Sequence, residues 1–144
     1  MRRILVVSTV GALIYGTVVL NAELTRSVAS PGAQTSILSP ANGATVSTTF
    51  TVQFGLKGMG IAPAGSNIAG TGHHHLLVDN KTTPDFSMPL PANKNVIHFG
   101  KGQTETELTL APGEHTLQLL LGDYLHIPHE APVLSEKITI TVAQ

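Results

Sequence analysis

The chain has no cysteine and no tryptophan. Without cysteine there are no disulfides, no thiolate metal site, no cysteine nucleophile and no lipid anchor on an N-terminal cysteine. An antibody-type domain, built on a Cys…Trp…Cys pattern, is excluded as well. Arginine is confined to Arg2, Arg3 and Arg26. Helical periodicity is missing after residue 30. So are a Gly-rich phosphate loop, a His-Glu-x-x-His helix and a serine nucleophile elbow.

The first residues read as a targeting segment. Met1-Arg2-Arg3 is basic, Ile4 to Leu20 is mostly apolar, and Ser27-Val28-Ala29 supplies the small residues a signal peptidase requires. The expected signal peptide is residues 1–29, with Asn21-Ala22 as a second cutting point. The competing reading is an uncleaved anchor, because the run approaches the roughly 18 apolar residues of a spanning helix. A cut after Ala29 leaves 115 residues, enough for one modest core, in the periplasm or outside the cell. That chain has no arginine, five lysines and eight acidic residues, a net charge of −3 with histidine neutral. It lacks a basic patch, which argues against nucleic acid and anionic membrane as partners of the mature domain. All seven histidines survive the cut and outnumber the lysines.

Short alternating segments fill the remainder. Residues 30–36 are a polar, flexible lead-in, and residues 37–144 form the domain. Strands are predicted near 37 and at 50–56, 73–78, 96–99, 104–110, 115–121 and 137–142, from period-two alternation between turn signals. Asn42-Gly43 and Pro112-Gly113 mark turns. Long loops fall at 57–72, 79–94 and 122–132; connections of that length imply function or disorder. About seven such strands predict an all-β, immunoglobulin-like antiparallel β-sandwich.

The motif that stands out is Gly72-His73-His74-His75-Leu76-Leu77. Imidazole is the commonest protein metal ligand and suits zinc and copper. His73 and His75 lie about 6.5 Å apart on one strand face, within chelating range. His74 shares the other face with Leu76 and Val78 and divides evenly between a packed structural role and a ligand role. If successive strands alternate in direction, the start of 73–78, the end of 96–99 and the 122–132 loop meet at one end. His73, His75, His98, Asp123, His126 and His129 are therefore the expected metal ligands. Asp123 serves either as a ligand or as a partner for a ligand N–H. Pro128 stiffens the loop between His126 and His129. His115 falls at the opposite end, as a solvated surface residue. Met59 offers a soft ligand for Cu(I).

These pieces carry a resemblance. Gly58 to Gly65, Gly72 to Leu77, His98 to Glu105, Pro112 to Leu117, Leu121-Gly122-Asp123 and His126-Ile127-Pro128-His129 resemble a bacterial family of secreted domains of unknown function. Some of its members carry a rod-shape-determining label. The resemblance runs from about Ser39 to Val142. It implies a secreted single domain and brings no activity or catalytic residues.

Three functions compete. The first is a secreted metal-binding protein for Cu(II) or Zn(II), in storage, delivery or protection. The second is a cell-envelope binding module for a glycan or protein partner, with a metal-free histidine cluster. The third is a metalloenzyme with an open coordination position. No catalytic residue is assigned.

Overall fold

The computed structural model describes residues 24–144. Most of the expected signal segment lies outside them. Every regular element among the described residues is a strand, and no helix is long and apolar enough to cross a membrane.

Two sheets pack face to face. The first orders β1 (Gln34–Ser39), β3 (Thr49–Lys57) and β7 (Glu105–Thr109) as β1-β3-β7. The second runs β2-β9-β8-β5-β4, from β2 (Thr45–Val46), β9 (Ile138–Val142), β8 (Gly113–Gly122), β5 (Thr71–Val78) and β4 (Gly60–Ile61). The short β6 (Val96–His98) pairs with β5 as well. The architecture is the expected β-sandwich. Two short pairings, β2 with β9 and β4 with β5, are parallel and make the second sheet mixed.

The lead-in is more ordered than its composition suggests. Ala33 N–H donates to the Ser30 carbonyl, and Gln34 already pairs with Lys57 in β1. Edge pairing with β3 overrides the polar sequence, because a strand edge stabilises any backbone that can donate to it.

Alternation sorts the side chains into two clusters. Phe50, Val52 and Phe54 of β3 face Leu76 and Val78 of β5, Leu117 and Leu119 of β8, and Ile138, Ile140 and Val142 of β9 across the sandwich. Each fully buried aliphatic side chain contributes about 1.5–3 kcal/mol. A smaller cluster, Leu77, Leu90, Val96 and Leu120, lies on the outer face of the second sheet. The chain between β5 and β6 covers that face, so β5 is buried on both sides. This is why its last seven residues, Gly72 to Val78, are all buried and why its sequence lacks a solvent-facing stripe.

Candidate metal centre

Residue parity on β5 decides which histidines meet. His74 points into the sandwich with Leu76 and Val78. Its ring packs on Phe54 at 5.2 Å, and its Nδ1 lies 3.5 Å from Thr35 Oγ1. His73 and His75 point outward. Their antiparallel partners on β8 are Gly122 and Leu120, and His75 also pairs with His98 of β6. Paired residues share a face, so β6 brings His98 beside His75. The ring centroids lie 4.4 Å apart.

The loop after β8 closes this face. It is organised by Asp123, which is 1 % exposed. Asp123 Oδ1 accepts the amides of Leu125 and Ile127 at 2.9 and 3.0 Å, and Oδ2 accepts the Ser27 hydroxyl at 2.8 Å. The Asp123 carbonyl accepts the His126 amide. The tight turn places His126 in the left-handed region, with φ 64°, a conformation that histidine enters more readily than most side chains. Leu90 N–H donates to the His126 carbonyl and ties the covering loop to the same residue.

His126 is thereby held over the strand pair. Its Nδ1 lies 2.9 Å from His73 Nε2 and 3.2 Å from His75 Nε2. One ring nitrogen from each of the three lies within 4.8 Å of the others. Four-coordinate zinc with Zn–N bonds of 2.0–2.1 Å sets its ligand nitrogens about 3.3 Å apart, so the two separations to His126 Nδ1 are close to those of a ligand set. His98 stacks on His126 at 4.7 Å, and its Nε2 lies 3.0 Å from the Pro91 carbonyl. As the Nε2–H donor it keeps its Nδ1 lone pair free.

The two glycines beside the histidines are required by close approach. A Cβ on Gly122 would sit 2.4 Å from His75 Cε1, and one on Gly72 would sit 2.7 Å from the Gly122 carbonyl oxygen. Neither position has room for a side chain.

Electrostatics keep the cluster neutral. Burial, reinforced by His126 and His98, lowers His73 to a pKa of about 4. Burial and the three neighbouring imidazoles push His75 down to about 2. His126 is lowered as well, by burial first and then by His98. At neutral pH all three rings carry lone pairs. Each neutral imidazole has one N–H and one lone pair, and His126 Nδ1 can satisfy only one of its two neighbours fully. His73 Nδ1 and His75 Nδ1 are buried without a partner. A cation at the meeting point could bond all three nitrogens at once, with each ring's N–H carried on its other nitrogen.

The remaining predicted residues fall outside the trio. Asp123 has both carboxylate oxygens engaged by backbone amides and Ser27, so it shapes the loop. His129 is buried, with Nε2 3.3 Å from the Thr71 carbonyl. It borders a neighbouring cavity of about 370 Å³ with Asp123 and Tyr124. His115 lies at the far end, as expected, but is not freely solvated. Its Nδ1 is 2.7 Å from Asp79 Oδ2 and its Nε2 is 2.8 Å from the Ala111 carbonyl. Two acceptors suit an imidazolium, and its pKa is raised, chiefly by the Asp79 hydrogen bond. Sequence reasoning missed Arg26 and Ser27, which pack on the His126 loop. It also missed Gly122 as the floor under His75, although a glycine ending a leucine-rich strand was a visible signal of close approach.

No curated protein and no solved structure matches the chain. A family model described as Domain of unknown function (DUF4399) matches residues 52–143, which span β5, β6, β8 and the His126 loop. The chain therefore belongs to that family.

Proposed function

We propose that this is a secreted metal-binding protein whose ion is held by His73, His75 and His126. His98 stands at the margin as a fourth ligand, and Asp123 and His129 shape the surroundings. The observation that carries this reading is the approach of three neutral imidazole nitrogens, two of them on fully buried rings, to one point. Nitrogen ligands without thiolate favour Zn(II) or Cu(II). The basic and apolar N-terminal segment supports a periplasmic or extracellular setting, where such a protein would store, deliver or sequester the ion.

Equilibrium dialysis of tag-free protein against Zn(II) and Cu(II) tests it. One ion per chain is expected. His126→Ala should weaken binding by roughly tenfold or more, from loss of a ligand or its support, while His115→Ala leaves it unchanged. Weak binding without fixed stoichiometry would retire the proposal. A second reading, a binding module for an envelope glycan or protein, draws on the cavity beside His129. It predicts unchanged dialysis with metal and retention on an envelope ligand.

A further inference from the structure

The residues just after the apolar N-terminal segment are built into the site's scaffold. The Arg26 guanidinium donates to the Pro128 carbonyl at 3.0 Å and also to the carbonyl of His129. Ser27 Oγ donates to Asp123 Oδ2 at 2.8 Å, and the Ser27 carbonyl accepts the Glu130 amide at 3.0 Å. Four hydrogen bonds thus join two consecutive residues to one loop, about a hundred positions away in sequence. They address both ends of it: Asp123, which sets the turn, and Pro128 to Glu130, where the loop leaves the sheet face. His126 lies between. Asp123 is almost fully buried, so a lost hydroxyl partner leaves a carboxylate oxygen that water reaches poorly. Leaving a buried acceptor unsatisfied costs far more than the net value of the bond.

A cut after Ala29 would remove both residues. A cut after Ala22 would keep them. We infer that Arg26 and Ser27 belong to the mature domain as positioning residues for the His126 loop, and that any removal of the N-terminal apolar segment falls ahead of Arg26. Only the zinc arm of the test below rests on the metal reading.

The full-length chain is secreted from a bacterial host, and the intact mass of the purified protein is measured. A first residue at Arg26 or further upstream is expected. A chain that begins at Ser27 or beyond, Ser30 included, overturns the inference. In metal-free full-length protein, Ser27→Ala should speed hydrogen exchange of the Leu125 and Ile127 amides by roughly fivefold or more, without changing the β8 amides, because local opening is separate from global unfolding. Ser27→Thr should restore the slow rate. Unchanged exchange in Ser27→Ala overturns the positioning role. Zinc affinity of Ser27→Ala should fall roughly tenfold, the usual scale for supporting residues, and an unchanged affinity counts against it. If wild-type protein fails to bind zinc, the metal reading falls, and the mass and exchange results still decide this inference.

Discussion

Gly122 and His126 show how single residues make the site. The His75 ring occupies the space where a Gly122 side chain would lie. Gly122→Ala must therefore displace either the ring or the β5–β8 pairing. Overpacking of this kind costs about 1–3 kcal/mol. Thermal unfolding should register that loss, and a zinc titration should show weakened binding from the same variant. His126 depends on its backbone: from a left-handed turn its ring reaches two rings on the adjacent strand. The pairing of His73 with His75 was legible in the sequence, because imidazoles at alternating positions on a strand must share a face, and His126 was among the candidates that strand direction carried to the same end. The left-handed turn was not legible, since it is set by the Asp123 carboxylate bonding to amides two and four residues on. The role of Asp123 was equally hidden, because an acidic residue near histidines reads as a ligand until its hydrogen bonds are known.

At the scale of elements, β5 carries two populations of histidine divided by parity. His73 and His75 serve the outer site, while His74 serves the core. His74 Nε2 is buried without a partner, and burial lowers the ring's pKa to about 4. His74→Leu replaces an unsatisfied polar ring by an apolar side chain on a face already lined by Leu76 and Val78. Replacing an unpaired buried group in this way is close to neutral or stabilising. The variant should match or exceed wild-type thermal stability at pH 7, and the advantage should grow at pH 5. A stability loss above about 2 kcal/mol would show that the Thr35 contact matters more than its 3.5 Å length suggests. Strand positions were legible here from alternation and turn residues. The seat of β6 was not. It pairs with β5, which brings His98 to His75, and a three-residue strand carries too little pattern to reveal its partner.

For the molecule as a whole, the histidines dictate the response to acid. His73, His74 and His75 titrate far below the 6.5 of an unfolded chain. Between pH 6.5 and about 4 the unfolded state binds more protons than the folded one, so stability is present above pH 6.5 and is lost as pH falls. His74 alone accounts for about 2 kcal/mol at pH 5. His115 works in the other direction: its raised pKa stabilises the fold below 6.5 and ceases to do so as pH rises through the raised value. The three buried rings outweigh one partly exposed ring. Metal-free protein should melt several degrees lower at pH 5 than at pH 7.5, as measured by circular dichroism in the presence of chelator. An unchanged melting temperature would contradict the burial assigned to the triplet. The sandwich and the meeting of distant segments at one end were both legible, because the main successive strands of such a sandwich alternate in direction. The folding of the last loop over the outer sheet face was not, since it rests on contacts between segments far apart in sequence.

His73 and His75 are sealed beneath the loop, and His126 alone of the trio is half-buried. On the proposed metal reading, an incoming ion would meet His126 and its neighbour His98 first and would reach the strand pair only if the turn lifted. Uptake should behave as a gated process, with an observed rate that climbs at low zinc and then levels off at the opening frequency of the turn. Stopped-flow mixing would show that plateau, and an uptake rate linear in zinc would mean that the door stands open.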